Sequence, residues 1–110
     1  MKSRLEIDKY GTKYWKLPNG ELHKEDGPAI EYNDETKIWY KNGKRHRLDN
    51  PAIEFPNGFT QWLVNGVLHR EDGPAIHDIS GYSEWWLNGE KYSKEEYKKK
   101  MRLKKLEHIL

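Results

Sequence analysis

The chain has 110 residues, among them five Trp and seven Tyr but no Cys, and its hydrophobic and charged fractions are both 35%. This length allows one domain at most, and the lack of Cys excludes a disulfide framework, a thiol nucleophile and a Cys-based zinc site. The net charge is +2, but residues 94–110 carry seven Lys or Arg against three Glu, a charge of +4 that leaves −2 for residues 1–93. Only the C-terminal segment is therefore basic.

The N-terminal segment, residues 1–8, contains too many charges for a secretory signal. No stretch of the sequence approaches the roughly 18 apolar residues that a membrane-spanning helix needs. The sequence therefore predicts a cytoplasmic protein without a membrane span.

Four hairpins are predicted from an internal repeat with a period of 23 residues. The dipeptide Asn-Gly begins at residues 19, 42, 65 and 88. It is the preferred loop of a type I′ turn, because both central residues of that turn need a positive φ. Three of these loops place an aromatic residue of the first strand opposite a ring of the second: Trp39 opposite His46, Trp62 opposite His69, and Trp85 opposite Tyr92.

A polar corner and a second short strand complete each repeat. Each of three corners contains His-x-x-Asp followed by x-Pro, and the strand after it carries an Ile. Such units stack on their neighbours, so the sequence predicts an elongated antiparallel β-meander of about four hairpin repeats over residues 1–92. We expect the repeated polar residues to be structural, with each His ring stacked on a Trp and bonded to the corner Asp or to a nearby backbone group: His23, His46, His69, Asp26, Asp49 and Asp72.

A helix that caps the repeats is predicted over residues 93–110. It begins with a Ser-x-x-Glu capping box at Ser93, in which the two side chains bond free N–H groups of the first turn. The predicted fold class is therefore all-β with one C-terminal helix. Tyr97 and Met101 form one apolar stripe of this helix, and the second stripe either packs on the sheet or recruits a partner. The second stripe contains Leu103, Leu106, Ile109 and Leu110.

The repeat unit resembles the MORN repeat, whose hairpin units have a similar length and a similar Gly-x-x-His core. Residues 65–75, which read NGVLHREDGPA, are most similar to a divergent version found in bacteriophage and large-virus proteins. The resemblance covers about residues 11–98 and implies a scaffold or interaction platform, and a viral origin would imply interference with a host protein. The chain departs from the MORN pattern after the His, where Gly-x-Gly is absent, and at Lys16, where later units carry Trp and Trp15 is displaced by one.

No catalytic, metal or cofactor site is predicted. Equivalent His-x-x-Asp pairs in successive hairpins lie roughly 9.5 Å apart, which is two strand spacings, whereas the ligands of one metal ion lie within about 2.2 Å of it. Carboxylates such as Glu71 and Asp72 are adjacent in a turn rather than opposed across a cleft, as a glycosidase requires. We therefore expect a protein that is not an enzyme.

The predicted function is protein binding through an aromatic face, with the apolar helix stripe as an additional contact. A sheet this small cannot cover both of its faces, and partly exposed aromatic residues are typical of interfaces. The partner would be a host protein if the chain is viral, and a second copy of the chain is a further candidate. We expect most of the row Trp39, Trp62 and Trp85 on one face to be core, and the interface to be centred on the other face, which carries Tyr40, Leu63 and Trp86.

The alternative is a nucleic-acid or nucleotide binder, including one that sequesters a nucleotide signal. Exposed aromatic residues interleaved with basic residues would stack on bases and contact phosphates. The basic residues of the body are Lys44, Arg45, Arg47 and Arg70, and the C-terminal segment adds Lys98, Lys99, Lys100, Arg102, Lys104 and Lys105. The near-neutral body favours the protein partner, because a dedicated nucleic-acid binder has a strongly basic face.

Overall fold

The structure, a computed structural model, describes the backbone of residues 2–109 and the side chains of residues 2–107. It consists of an antiparallel β-meander followed by one helix, which confirms the predicted fold class. The molecule measures 50 × 34 × 19 Å and its Cα radius of gyration is 16.1 Å, against about 13 Å for a compact domain of this length. The repeats therefore stack along one long axis.

Thirteen short strands make up the described part of the meander. Nine of them pair in chain order in one sheet, and the other four form two separate hairpins, β5 with β6 and β9 with β10. The strands are β1 (Arg4–Ile7), β2 (Lys13–Lys16), β3 (Ile30–Glu31), β4 (Lys37–Ile38), β5 (Tyr40–Lys41), β6 (Lys44–Arg45), β7 (Ile53–Glu54), β8 (Thr60–Gln61), β9 (Leu63–Val64), β10 (Val67–Leu68), β11 (Ile76–His77), β12 (Ser83–Leu87) and β13 (Glu90–Tyr92).

The chain passes from the nine-stranded sheet into a hairpin at each repeated Trp. In the second repeat, the Trp39 N–H donates to the Ala52 carbonyl in the sheet at 2.8 Å, and the Trp39 carbonyl accepts from the His46 N–H in the hairpin at 3.0 Å. The loop residues Asn42 and Gly43 have φ of 49° and 80°, the positive values of a type I′ turn. The third and fourth hairpins have the same loop, and the predicted pairs are confirmed: Trp39–His46, Trp62–His69 and Trp85–Tyr92.

The first hairpin has a three-residue loop, so the predicted two-residue loop is wrong there. Gly20, with φ of 90°, donates its N–H to the Leu17 carbonyl at 2.8 Å. A two-residue loop would need an N–H from Pro18, which has none, whereas Pro fits the second position of the turn that forms. The longer loop places Trp15 opposite His23, whose N–H donates to the Trp15 carbonyl at 2.9 Å. Trp15 is thus a full member of the Trp series.

The core is a thin aliphatic layer, and its largest contributions come from the strands that follow the corners. Ile30 and Ile53 are 5% and 4% exposed, whereas their equivalent in the third repeat, Ile76, is half-buried. Burial of one such side chain stabilises the fold by about 1.5–3 kcal/mol. The buried cluster contains Ile30, Ile38, Ala52, Ile53 and Leu63, and Tyr14, Leu22, Tyr40 and Leu68 pack against it.

The helix α1 (Lys94–Ile109) packs against β12 and β13. The predicted capping box is formed: the Glu96 N–H donates to Ser93 Oγ at 3.1 Å, and the Ser93 N–H donates to Glu96 Oε1 at 3.0 Å. Tyr97 is 5% exposed, and its hydroxyl donates to the Arg70 carbonyl at 2.6 Å and accepts from the Gly73 N–H at 3.2 Å. These bonds fix the helix to the third corner as well as to the last hairpin.

Candidate binding face

Each repeated His links its own repeat to the next one. The Asn42 N–H donates to His23 Nδ1 at 2.9 Å, and the two later histidines accept in the same way from the Asn of the following hairpin, at 2.9 and 3.0 Å. Because Nδ1 accepts, the neutral ring carries its proton on Nε2. The prediction of a structural role with a bond to a nearby backbone group fits this geometry.

Of the two partners expected for the His ring, the backbone group is found, whereas the side-chain partner of His23 and His69 is a Glu instead of the corner Asp. His23 Nε2 lies 2.7 Å from Glu25 Oε1, and His69 Nε2 lies 2.9 Å from Glu71 Oε2. The hydrogen bond from His23 lowers the pKa of the Glu25 carboxyl. The pKa of the Glu71 carboxyl is lowered as well, mainly by a hydrogen bond from Lys104 and to a smaller extent by the one from His69.

The three corner Asp residues are exposed and do not bond the histidines. Asp72 accepts from Arg70 Nε at 2.8 Å, and Asp49 adopts a φ of 65° in the tight second corner. That corner carries the exposed Leu48 where the other two carry Glu, so His46 has no carboxylate at this point. Burial, with a smaller effect of Lys41, lowers the pKa of His46.

A cation lies over each repeated indole. The guanidinium of Arg47 is 3.8 Å from the ring centroid of Trp39, and that of Arg70 is 3.8 Å from that of Trp62. Such pairs contribute about 0.5–2 kcal/mol, more where they are shielded from water. The series is completed at its ends by the ammonium groups of Lys24 over Trp15, at 4.3 Å, and Lys94 over Trp85, at 5.8 Å.

Three neighbouring grooves lie beside the corners, and each is lined by one of the first three indoles. They have volumes of about 530, 530 and 510 Å³ and contain Trp15, Trp39 and Trp62 in turn. Each also has a Lys or Arg and at least one Asp or Glu in its lining. The exposed Leu48, 65% accessible to solvent, borders both the second and the third groove. We call this row of grooves the binding face.

The opposite aromatic set does not form an open surface. Leu63 is 6% exposed within the core cluster, and Tyr40 packs against that cluster. Trp86 is half-buried, and its Nε1–H donates to Glu84 at 2.9 Å. The prediction that Tyr40, Leu63 and Trp86 are available together to a partner is therefore wrong, because the thin sheet uses this side for its core.

The second apolar stripe of α1 is exposed over its described part. Leu103 and Leu106 are 53% and 48% exposed, whereas Leu110 and the side chain of Ile109 lie outside the described residues. Lys100 and Lys104 face the body of the protein: the Lys100 ammonium is 5.2 Å from the Tyr92 ring, and Lys104 pairs with Glu71 at 2.8 Å. A groove of about 440 Å³ separates this part of the helix from the last hairpin.

Sequence reasoning treated Arg47 and Arg70 only as phosphate contacts of the alternative function, and it missed Lys24 and Leu48 as members of the binding face. Lys24, Arg47 and Arg70 directly follow the repeated His, a regularity that identifies them once it is noticed. Leu48 interrupts the acidic pattern of the corners, and such an exposed apolar exception is a signal for a contact residue.

Over the described range, His, Asp and Glu side chains do not converge in groups of three or more that would suit a metal ion. The helix α1 is neither long nor apolar enough to cross a bilayer, and the described residues contain no other helix that is. Comparison with protein-family models, curated proteins and solved structures gave no match.

Proposed function

We propose that the chain is a non-enzymatic protein-binding module that holds an extended segment of another polypeptide along the binding face. The observation that carries this proposal is the regular row of grooves, each lined by an indole together with side chains of both charges. Indole rings provide a large apolar contact area. The Lys or Arg and the Asp or Glu of each groove can bond the backbone C=O and N–H groups of a bound polypeptide and pair with its charged side chains of either sign.

The spacing of the grooves favours one backbone conformation of the bound segment. Successive indoles lie two strands apart in the sheet, and this corresponds to about 9.5 Å. A polyproline II helix has three residues per turn and rises about 3.1 Å per residue, so equivalent side chains recur every 9.3 Å or so. Residues i, i+3 and i+6 of such a segment would enter three successive grooves, and aromatic-lined grooves are a known way of binding this conformation.

The charges of the binding face favour a polypeptide over a nucleic acid. Arg70 pairs with Asp72 at 2.8 Å, and Arg47 bonds Glu54 at 3.3 Å, so both guanidinium groups already have carboxylate partners. Phosphates would also approach the exposed carboxylates of the corners, which opposes binding by like-charge repulsion. In a phage or virus, as the MORN-like resemblance implies, the partner would be a host protein in the cytoplasm whose activity is modulated by binding.

A peptide selection with two matched variants tests this proposal. Peptides selected against the parent protein should have a three-residue periodicity. They should bind the Leu48→Arg variant at least about tenfold more weakly, which corresponds to 1.4 kcal/mol, because the new side chain fills two grooves. Ile79→Arg introduces the same side chain at a residue that is 86% exposed and lies outside the three grooves, and it should bind as the parent does. A selection that yields no binder, or equal binding by all three proteins, would reject the proposal.

The basic helix supports nucleic-acid binding as a second candidate function. Lys98, Lys99, Arg102 and Lys105 are exposed, and they form no ion pair with another side chain of residues 2–107. Binding through these residues would weaken steeply with added salt, since phosphate contacts release counterions. Binding along the grooves should change little over the same salt range, so a salt titration with a single-stranded oligonucleotide and with a selected peptide separates the two functions.

A further inference from the structure

Among the described residues, β1 pairs only with β2, so one of its edges is unpaired, and its four residues are all exposed. It pairs with β2 in the register Leu5 with Trp15 and Glu6 with Tyr14. The first bond of this ladder joins the Asp8 N–H to the Thr12 carbonyl at 3.1 Å. In an antiparallel ladder, bonded and non-bonded pairs alternate. Glu6 and Arg4 therefore bond β2 through their backbones, and the N–H and C=O groups of Leu5 and Ile7 point to the open edge.

The bonding of Trp15 supports this assignment independently. Its N–H donates to the Ala29 carbonyl at 2.8 Å, and its carbonyl accepts from the His23 N–H at 2.9 Å. Both bonds lie on the side of Trp15 away from β1, so Leu5 opposite it has no backbone partner within the sheet. An edge strand with outward N–H and C=O groups is a template for another strand.

We propose that this edge pairs with the same edge of a second copy, antiparallel and centred on Leu5. In this register, Leu5 faces Leu5 of the second copy and exchanges backbone bonds with it. Arg4 of each copy then lies opposite Glu6 of the other, in the non-bonded positions where side chains approach most closely. Opposite-charge pairs of this kind, directly opposite each other across two strands, stabilise the strand pairing.

The charges of the strand select this register among the available ones. The outward N–H and C=O groups of one copy must face the outward N–H and C=O groups of the other. The possible antiparallel registers therefore differ in the residue on which the two-fold axis is centred. Centring it on Arg4 would place Arg4 against Arg4, and centring it on Glu6 would place Glu6 against Glu6. Like charges directly opposite each other are destabilising. Only the Leu5-centred register avoids both clashes and uses both charges.

The short length and the charges of β1 predict a weak and selective dimer. A four-residue strand buries less area than a standard interface, so the dimer is weak and dissociates on dilution. The alternating Arg4 and Glu6 also disfavour strands without the complementary charges, which limits general edge-to-edge aggregation. This pairing extends the nine-stranded sheet across the two-fold axis. It lies beside the first groove, which Lys2 and Ser3 help to line, but it involves no residue of the second and third grooves that the Leu48 variant changes, so the two proposals can fail separately.

A charge-exchange experiment measured by sedimentation velocity tests the pairing. The parent should approach twice its monomer mass of 13.2 kDa as its concentration rises to the millimolar range. Arg4→Glu and Glu6→Arg should each stay monomeric, because each places like charges opposite each other. An equimolar mixture of the two variants restores both opposite-charge pairs and should dimerise as the parent does.

A backbone variant separates strand pairing from a general charge effect. Leu5→Pro removes only the outward N–H, which the sheet within one copy does not use, so this variant should remain folded by circular dichroism and be monomeric. A parent that stays monomeric at millimolar concentration would overturn the pairing, and so would a mixture that fails to dimerise. Dimerisation of Leu5→Pro with parental affinity would overturn it as well, even if the parent dimerises.

Discussion

Replacement of His23 by Phe should destabilise the stack of repeats while keeping a ring of similar size in place. The His23 side chain is buried, and the variant loses both of its hydrogen bonds. Loss of the neutral bond from the Asn42 N–H costs about 0.5–1.5 kcal/mol. The bond to Glu25 adds less than a buried charged bond would, since the Glu25 side chain is 74% exposed. We expect the free energy of unfolding to fall by about 1–3 kcal/mol in total.

Urea unfolding followed by Trp fluorescence, together with hydrogen exchange of the Asn42 amide, measures this effect. Glu25→Gln is the matched control, because it weakens the Nε2 bond and leaves the Nδ1 bond intact. Since the Glu25 side chain is exposed, this variant should unfold at nearly the parental urea concentration. The Asn42 amide should exchange faster in His23→Phe and remain protected in Glu25→Gln. An unchanged urea midpoint in His23→Phe, with the Asn42 amide still protected, would refute the role of the His in joining repeats.

Three further predictions concern the corners and the helix. Because the folded-state pKa of His46 is lowered, the contribution of this residue to stability is present above about pH 6.5 and is lost as the pH falls through the folded-state pKa. Urea unfolding between about pH 8 and pH 5 should therefore show that the free energy of unfolding depends less on pH in His46→Asn than in the parent. An equal pH dependence of the two proteins would contradict this. In Gly73→Ala, a Cβ would lie 2.9 Å from Arg70 Cζ, so the Arg70 guanidinium should move off the Trp62 ring at a cost of about 0.5–2 kcal/mol. The indole N–H signal of Trp62 should then shift in NMR spectra, and an unshifted signal would count against the cation–indole pair. Tyr97→Phe removes two hydrogen bonds from a buried site and should lower the free energy of unfolding by about 1–3 kcal/mol. A calorimetric unfolding transition at the parental temperature would show that these bonds do not stabilise the docking of the helix.

The architecture could be predicted because it depends on local chemistry that the sequence repeats. Asn42-Gly43 and its two later equivalents determine the loop, the strand pairing and the register, and Ser93 with Glu96 determines the start of the helix. The first hairpin could have been predicted too, if the missing N–H of Pro18 had been weighed against the fixed period of 23 residues.

The side of the sheet that is open could not be predicted from alternation alone. Tyr40 and Leu63 belong to the core because Ile and Ala residues of neighbouring repeats lie on their side, a contact that a single hairpin does not reveal. The partner of the indole was also missed for a geometric reason. The His ring turns toward the next repeat to accept from its backbone, which leaves the indole to the cation that follows the His in sequence, as with Arg47 over Trp39.

The most direct test of polypeptide binding along the grooves is an NMR titration that follows the indole N–H signals of the five Trp residues. Addition of a selected peptide should shift the signals of Trp15, Trp39 and Trp62, which line the three grooves, and leave that of Trp86 in place. Shifts at Trp86 or along α1, with the signals of the three groove residues unchanged, would contradict the proposal.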